Sequence, residues 1–581
     1  MRRLLDKYRR TLTNHESILS YAILGIVGGL ASGLVVLAFE RAIGAMAGLW
    51  GVSDGGENFE ALPLWAIFGL PVGGALLMGL CLSLIKPDDR ETGVVHVLSR
   101  MDSHYGVLSY KNALVQFIGG AFALATGQSG GREGPGVHLG AAINSQLGQK
   151  LGLPNNSLRV LIACGAAGSI AAAFNTPLAG VIFAMEVIIA EYTVVGFIPI
   201  ILAAVSASAI SRTLGGGAAL FLVPEVELNS LWEIPYIILL GVCCGMAMTA
   251  FITISKLSGR LLHWPIIIRF TLAGLLTGGL ALLAPEILGI GYDTLNLILH
   301  EELAISLLLT IAACKILATS FGVGVGMPIG IIGPSLFIGA CVGGIMGLLG
   351  QIVVPDIASD YTLYIVIGMA AAMGAILNAP LAAILAVIEL TQSVTVAMPA
   401  LLAIVAATLT NTGVFRQHSA HQTVLKQLQR LVPNDPLNQL LHRTDVSSSM
   451  EISVVKIPVL LQHSATQPLL MATPTWCLVE RDSEPLYLIS GAELAQWLTD
   501  NPGEVEAQDQ DQATDLTEAS IRRWTISEVP IQATLRQTLD SMRSNTAEAA
   551  CIYGRNASGK RVLEGIVTRE TIEKFSLSGL S

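Results

Sequence analysis

The sequence predicts an all-α polytopic membrane protein with two related halves, followed by a smaller α/β module. Three observations support this prediction. Of the 581 residues, 52% are hydrophobic and only 13% are charged, which is too apolar for a soluble enzyme of this length. Long apolar runs follow one another from about residue 18 to about residue 414. Two pairs of short motifs also recur at nearly the same offset, which indicates a duplicated membrane unit.

Changes in composition set the predicted domain boundaries. Residues 1–16 are rich in basic side chains and form a short N-terminal segment. Residues 17–415 form the membrane domain, with halves at about 17–213 and 232–415. Beyond this point charged and polar residues are frequent and long apolar runs are missing. We therefore predict a separate cytosolic module over residues 416–581.

The basic residues near the N-terminus predict the orientation in the membrane. The positive-inside rule places residues 1–16 in the cytoplasm. The first apolar run, from about residue 18 to residue 49, is too long for a cleavable signal peptide. We expect a multi-pass protein of the cell (inner) membrane with both termini in the cytoplasm.

Several apolar runs do not fit one straight spanning helix. About 20 apolar residues cross a bilayer, whereas the runs near 18–49 and 157–190 are much longer, so they predict tilted or broken helices. Asn-x-Pro at 175–177 and at 378–380 supplies a break, because Pro cannot continue a helix but suits the first turn of a new one. Irregular backbone at membrane depth is tolerated where it lines a cavity, so these breaks indicate a pathway.

The most informative stretch is Gly-Arg-Glu-Gly-Pro at 131–135, between two long apolar runs. Gly-Ile-Ile-Gly-Pro at 330–334 repeats its spacing at an offset of 330 − 131 = 199 residues. Asn-Thr-Pro-Leu-Ala at 175–179 and Asn-Ala-Pro-Leu-Ala at 378–382 repeat at 378 − 175 = 203 residues. Two matches at nearly one offset predict the inverted repeat that forms many transporter binding sites.

The Gly-x-x-Gly-Pro spacing suits an anion. The glycines let the backbone turn and the Pro begins a helix, so successive N–H groups and the positive end of a helix dipole face one point. Partial charges suit conduction better than a buried Lys, because the ion must also leave. The predicted helix-start and pore-motif residues are Gly131, Pro135, Gly330, Gly333 and Pro334, and the first predicted anion-binding segment adds Arg132 and Gly134.

Glu133 lies inside this predicted anion site, where a carboxylate is costly to bury and competes with an anion. We interpret Glu133 as a gate. Ionised, it occupies an anion position and blocks the path; protonated or displaced, it swings away, which couples occupancy to pH. The alternative is that Arg132 and Glu133 lie on a solvated loop. The apolar Ile331 and Ile332 at the same positions of the second motif favour the functional interpretation.

At these residues the sequence resembles the CLC family of chloride channels and chloride/proton exchangers, over about residues 18–430. The segment at 330–334 takes the place of the family's Gly-x-Phe-x-Pro motif. The resemblance implies a CLC-type fold and a homodimer in which each subunit has its own pore. It also implies Glu133 as the gating glutamate and the backbone amides of Ile331 and Ile332 as chloride ligands. The expected partners are then chloride and other small anions, the lipid bilayer and, in an exchanger, protons.

Other family positions carry different residues here. The family's first anion-binding motif, Gly-Ser-Gly-Ile-Pro, falls on residues 91–95, with Thr92 where a Ser is usual. A Thr hydroxyl can still donate a hydrogen bond to an anion. The family's pore tyrosine aligns with His421, which the resemblance makes an anion-binding residue. The alternative for His421 is an ordinary polar residue on a helix that leaves the membrane.

The predicted proton path differs most from the family. Its exchangers usually have a second glutamate at the position of Val187, and Val cannot carry a proton. Glu186 is adjacent, but one step along a helix turns a side chain by about 100°. Glu186 and its repeat counterpart Glu389 can instead hydrogen-bond to helix ends. The leading hypothesis is therefore a channel-like or weakly proton-coupled chloride pathway.

The C-terminal region resembles a divergent pair of CBS domains, most clearly at 529–535 and 564–569, with a polar linker near 501–517. Such pairs often bind adenine nucleotides, and we expect no other cofactor. Two alternatives stay open: a chloride/proton antiporter with a different proton route, and a nucleotide-sensing membrane scaffold. No nucleophile–base pair, metal cluster or phosphate loop indicates an enzyme, and the eight cysteines are scattered. We expect no nucleic-acid partner and no bound metal.

Overall fold

A computed structural model describes the chain except for residues 1–17, 53–56, 104–105, 154, 191–193, 217–220, 222, 225, 302, 356, 431–440, 442–443, 463–467, 470, 483, 501–512, 556–560 and 579–581. The predicted N-terminal segment and most of the predicted linker lie outside the described residues. The chain divides into two compact units, a helical unit of residues 17–151 and 158–432 and a second unit that contains 152–157 and 433–581. The division thus lies beyond the predicted boundary between residues 415 and 416.

The first half of the helical unit begins with a long apolar helix. In chain order its helices are α1 (Ile18–Gly48), α2 (Leu64–Ser83), α3 (Gly93–Ser103), α4 (Tyr110–Ala125), α5 (Glu133–Leu151), α6 (Asn155–Phe174), α7 (Pro177–Phe183) and α8 (Val194–Gly215). Helix α7 continues as a π-helical turn, Ala184–Ile189.

The second half repeats this order. Its helices are α9 (Ile234–Ser258), α10 (Ile266–Ala281), α11 (Tyr292–His300), α12 (Ile305–Gly324), α13 (Ile332–Val353), α14 (Tyr361–Leu377), α15 (Pro380–Thr391) and α16 (Ala397–Thr408), with a π-helical turn at Leu409–Val414. Helix α17 (Ala420–Gln427) follows and packs against α3 and α9 within the helical unit. Short 3-10 helices lie at Pro87–Arg90, Leu231–Glu233, Gly259–His263, Pro285–Ile287 and Val446–Ser448.

The helices from α1 to α8 correspond in order to those from α9 to α16. Helices α5 and α13 begin at equivalent motif positions, Glu133 and Ile332, and α7 and α15 both begin at a Pro. Within the described residues, eight helices are long and apolar enough to cross a membrane. The predicted fold class, a polytopic helical protein with a duplicated membrane unit, is confirmed.

The predicted helix breaks are present in both halves. Asn175 and Asn378 end the preceding helices in the left-handed region, with φ of 59° and 54°. Asn tolerates this conformation better than most residues. Pro177 and Pro380 then begin the next helices, as the Asn-x-Pro spacing predicted.

Small residues let the helices of each half approach closely. A Cβ atom at Gly25 or Gly29 of α1 would collide with the α8 backbone at Pro199 and Ala203. In the second half, Gly241 and Gly245 of α9 meet the α16 backbone in the same way. Close backbone packing of this kind is how helices associate where no hydrophobic effect drives them together. Both halves therefore use the same glycine spacing for the same contact.

The second unit contains the strands β1 (Val454–Pro458), β2 (Leu460–Gln462), β3 (Trp476–Arg481), β4 (Glu484–Ser490), β5 (Ala513–Asp515), β6 (Ile526–Pro530), β7 (Ala549–Arg555) and β8 (Arg561–Thr568). Helices described in this unit include α18 (Gly491–Asp500), α19 (Leu535–Ser544) and α20 (Arg569–Ser578). Strand β1 runs parallel to β3, which pairs antiparallel with β4, and β6, β7 and β8 repeat this order and sense. The module is α/β with two similar halves, as predicted.

Candidate functional site

The two Gly-x-x-Gly-Pro motifs contact each other directly. The N–H of Gly131 donates to the carbonyl of Gly330 at 2.9 Å, and the N–H of Gly330 donates to the carbonyl of Gly131 at 2.8 Å. A Cβ atom at Gly330 would lie 2.8 Å from both the Gly131 oxygen and the Gly134 nitrogen. Only glycine fits where the two motifs cross. The contact between the motifs therefore requires their glycines.

The crossing places two helix starts side by side. Helix α5 begins at Glu133 and α13 at Ile332. In the first turn of each helix, the backbone N–H groups before the Pro have no intrahelical acceptor and carry the positive end of the helix dipole. Backbone donors from both halves of the repeat therefore meet at one place, as the anion-site prediction requires.

The carboxylate of Glu133 lies between these helix starts. Its Oε2 accepts a hydrogen bond from the N–H of Gly333 at 3.1 Å, and its Oε1 accepts one from the hydroxyl of Tyr292. Glu133 is only 1% exposed. The side chain predicted to be the gate thus belongs to the first motif and is bound by the second.

The glycines of both motifs make room for this carboxylate. A Cβ atom at Gly131 would lie 2.5 Å from Oε2 of Glu133. A Cβ atom at Gly333 would lie 3.1 Å from the same oxygen and 2.9 Å from the Tyr292 hydroxyl. The motif glycines therefore serve the docked position of Glu133 as well as the backbone turn.

The guanidinium of Arg132 contacts Glu40 and Tyr292. Its Nη2 lies 3.5 Å from Oε1 of Glu40 on α1, and its Cζ lies 5.4 Å from the centre of the Tyr292 ring. These contacts use the side chain of Arg132. Its Nε is buried and has no hydrogen-bond partner among the described residues.

Tyr292 is a site residue that the sequence analysis missed. It begins α11 directly after Gly291, which is left-handed with φ of 81°. Gly93, the first residue of α3, is left-handed as well, with φ of 78°, and lies at an offset of 291 − 93 = 198 residues. The signal in the sequence was the glycine. The repeat offset relates Gly93 to Gly291, and Tyr292 directly follows Gly291.

The segment at 91–95, which the sequence analysis predicted to be the first anion-binding motif, is held by neighbouring side chains. Thr92 is half-buried and directly precedes α3. The N–H of Gly93 donates to Oε1 of Gln116 at 2.6 Å. Glu91, where the family has a Gly, forms a two-point ion pair with Arg430 at 2.6 and 2.8 Å. The start of α3 is thus fixed without the Pro of the family motif.

His421 lies on α17, which packs against α3. The side chain is buried, with 7% exposure, and its Nδ1 has no hydrogen-bond partner among the described residues. Thr92 and His421 therefore lie on neighbouring elements. This arrangement agrees with their assignment to one part of the pathway.

Glu186 and Glu389 each bind the start of a helix in the other half. The carboxylate of Glu186 accepts hydrogen bonds from the N–H groups of Leu381 (3.3 Å) and Ala382 (2.9 Å) in α15. The carboxylate of Glu389 accepts them from Leu178 (2.9 Å) and Ala179 (2.8 Å) in α7. The interpretation of both as ligands of helix ends is confirmed.

Val187 lies in the π-helical turn after α7 and packs against the apolar core of the helical unit.

Two histidines that the sequence analysis did not single out form a buried pair. Nδ1 of His96 on α3 and Nε2 of His138 on α5 are 2.8 Å apart. Nε of Arg100 donates to the other nitrogen of His96 at 3.2 Å.

Comparison with known proteins gives a consistent result. Residues 74–412 match the family model described as voltage gated chloride channel. A putative chloride channel protein ClcB-like from Ralstonia nicotianae is 32% identical over 398 residues, covering 67% of this chain and 92% of that protein. The H(+)/Cl(-) exchange transporter ClcA of Vibrio cholerae is 29% identical over 449 residues, covering 75% of this chain and 94% of the transporter.

Solved structures share the fold. A slow cyanobacterial Cl-/H+ antiporter superposes with a TM-score of 0.63 at 23% identity, covering 70% of this chain and 97% of that chain. A eukaryotic CLC transporter superposes with a TM-score of 0.56 at 18% identity and covers 97% of this chain and 98% of that chain. The family model covers more than half of this sequence, and the chain therefore belongs to the CLC (voltage-gated chloride channel) family of membrane anion transport proteins.

Proposed function

We propose that the protein conducts chloride across the cell (inner) membrane through a pore in each subunit of a homodimer, gated by Glu133. The observation that carries this proposal is the position of the Glu133 carboxylate. It accepts a hydrogen bond from the N–H of Gly333 at the start of α13, where an anion would bind. The carboxylate is thus an intramolecular competitor for the anion.

The gate works because the Glu133 carboxylate and chloride compete for the same backbone N–H donors. While Glu133 is ionised and docked, it takes the N–H of Gly333 and blocks the path. Protonation weakens the carboxyl as an acceptor, because hydrogen bonds to a charged acceptor are about twice as strong. The side chain then leaves, and chloride takes the N–H of Gly333 together with the backbone N–H groups of Ile331, Ile332, Gly134 and Arg132. Thr92 and His421 contribute donors at the other end of the pore.

Proton coupling is weak or missing in this proposal. Val187 has no titratable group at the position where family exchangers have a glutamate. The adjacent Glu186 is held by two backbone N–H groups of α15, which fixes its side chain away from a shuttling role. A passive, channel-like chloride flux follows.

Chloride/proton exchange is the second candidate function. Relatives such as the Vibrio cholerae protein are named as exchangers. The buried pair of His96 and His138 supplies titratable nitrogens between α3 and the gate helix α5, and could replace the missing glutamate as a proton route.

The C-terminal unit is proposed to be a cytosolic CBS-type pair that regulates transport, with both chain termini in the cytoplasm. Its two equivalent three-stranded sheets support the pairing. An adenine nucleotide is the ligand to test. Nucleotide binding together with no ion flux would favour the alternative of a sensing scaffold.

The deciding experiment is flux from purified protein in chloride-loaded liposomes, with chloride efflux and external pH followed together. We expect chloride to leave only when a potassium ionophore balances the charge, with no accompanying proton movement. Uphill proton movement driven by a chloride gradient would establish the exchanger instead. The assay is then repeated with a proton ionophore, which separates coupled from electrically driven protons.

The variant Glu133→Gln tests the gate. It mimics the protonated side chain, so chloride flux at neutral pH should rise to the level seen in acid and lose its pH dependence. Glu233→Gln is the control, because Glu233 is another buried carboxylate, bound by the N–H of Ser359 at 3.0 Å and by Tyr364. A pH dependence of Glu133→Gln that matches the unmodified protein would contradict the assignment.

A further inference from the structure

We propose that Tyr292 is a positioning residue for Glu133, whose phenol hydroxyl holds the ionised carboxylate in the closed position. This inference rests on the proposed gating function. It adds a side-chain donor from the second half of the repeat to the backbone donor at the start of α13. Neither the Gly-x-x-Gly-Pro motifs nor their spacing includes this residue.

The two carboxylate oxygens of Glu133 have separate donors. Oε1 is bound by the Tyr292 hydroxyl and Oε2 by the N–H of Gly333. Tyr292 and Glu133 are each 1% exposed, so bulk water does not replace either donor while the gate is docked. The hydroxyl therefore contributes to closure directly, and not only by filling space.

The ring of Tyr292 is also held by contacts that do not involve Glu133. Phe221 packs edge-on against it, with ring centres 5.1 Å apart and planes at 86°. Phe174 packs at 6.5 Å, and the guanidinium of Arg132 lies 5.4 Å from the ring centre. Since the ring is already ordered, the hydrogen bond to Glu133 costs little side-chain entropy.

The hydroxyl distinguishes the two protonation states of the gate. A phenol at neutral pH is a donor, and its bond to a carboxylate is stronger than its bond to a neutral carboxyl. The charged groups that interact with Glu133 are Arg132, of opposite charge, and Glu40 and Glu57, of the same charge. Helix α13 contributes the N–H of Gly333. Tyr292 thus adds to the charge of Arg132 in favouring the docked, ionised state.

The variant Tyr292→Phe tests this role by removing only the hydroxyl. A hydrogen bond to a charged group has a net strength that corresponds to about a tenfold to hundredfold change in the ratio of released to docked gate. The docked, ionised state is weakened, so the gate is released at a lower proton concentration. The midpoint of the flux–pH profile should move up by about one to two pH units.

Tyr364→Phe is the matched control. Its hydroxyl donates to Oε2 of Glu233, another buried carboxylate of the helical unit that also binds the hydroxyl of Ser359 at 2.7 Å. It removes the same kind of bond away from the motifs and should leave the midpoint unchanged. A melting curve confirms that each variant is folded. If Tyr292→Phe does not fold, Phe221→Leu loosens the ring and should move the midpoint in the same direction by less.

A double variant separates this inference from the gating proposal. In the Glu133→Gln background, Tyr292→Phe should have no further effect on the pH profile. If Glu133→Gln alone leaves pH dependence intact, the gating function itself fails. If Glu133→Gln removes it but Tyr292→Phe leaves the midpoint unchanged, only the role of Tyr292 is overturned.

Discussion

The two halves of the helical unit share a backbone design but differ in the two side chains between the motif glycines. Helix α5 begins with Glu133, and its counterpart α13 begins with the apolar Ile332. The second motif supplies a backbone donor and the first supplies the carboxylate that occupies it. Duplication thus provides two helix starts that can bind an anion, while the carboxylate of Glu133, which has no counterpart in the second motif, makes this residue the candidate gate.

A second pair of equivalent positions differs in charge. Gln116 and Lys315 are 315 − 116 = 199 residues apart, the offset of the motifs. Gln116 accepts from the N–H of Gly93 at 2.6 Å and donates to the carbonyl of Pro328 at 3.1 Å. The buried ammonium of Lys315 donates to three carbonyls, those of Ile287 (2.9 Å), Gly289 (3.3 Å) and Ile290 (3.3 Å). Each side chain thus hydrogen-bonds to the backbone of a loop near a helix start that is preceded or led by a glycine.

The largest effect should come from breaking the contact between the halves. In Gly330→Ala, the new Cβ atom would lie 2.8 Å from two backbone atoms of the first motif, and backbone cannot move aside as a side chain can. Overpacking typically costs about 1–3 kcal/mol, occasionally more, and we expect a clear fall in melting temperature and in yield of monodisperse protein. Gly279→Ala is the control, because nothing lies within 4 Å of its Cβ position. Equal melting temperatures for the two variants would contradict the crossing.

The second-largest loss of stability should come from removing Lys315, and it is compared with the loss from removing Gln116 at the equivalent position. Lys315→Met removes three hydrogen bonds from a charged donor and leaves the carbonyls of Ile287 and Ile290 without a donor, whereas the carbonyl of Gly289 keeps the N–H of Gly130 at 3.2 Å. A buried unsatisfied group costs about 1–3 kcal/mol. Gln116→Met removes two hydrogen bonds of a neutral amide, so its loss of thermal stability should be smaller, because hydrogen bonds from a charged donor are about twice as strong. Melting curves of the two purified variants measure the difference. A larger fall in melting temperature for Gln116→Met would mean that the ammonium of Lys315 does not stabilise the loop whose carbonyls it binds.

The smallest loss of stability should come from a feature that both halves share, a glutamate that binds the start of a helix in the other half. Glu186→Gln and Glu389→Gln each weaken one pair of hydrogen bonds to a helix start, and loss of such a cap costs about 0.5–2 kcal/mol. We expect similar, modest falls in melting temperature and no change in proton movement during chloride flux. If Glu186→Gln alone abolished proton movement, Glu186 would be a proton carrier, which its fixed position does not predict.

Much of the architecture could be predicted from local patterns. The Asn-x-Pro breaks, the start of α5 at the first motif and the two similar halves of the C-terminal module all depend on residues adjacent in the chain. The ion pair of Glu91 with Arg430 could not be predicted, because it joins residues 339 apart. The same holds for the pairing of Glu186 with the start of α15, 195 residues away.

By itself, the sequence determined that the protein has a duplicated membrane unit, with glycine-led helix starts and one carboxylate at the first of them. These features follow from composition, from proline and glycine geometry and from the spacing of two motifs. Only the tertiary structure decided what binds that carboxylate. Gly333 and Tyr292 lie 200 and 159 residues from Glu133 in the chain. How helices cross determines which donors meet it, and that depends on the packing of the whole helical unit rather than on any local pattern.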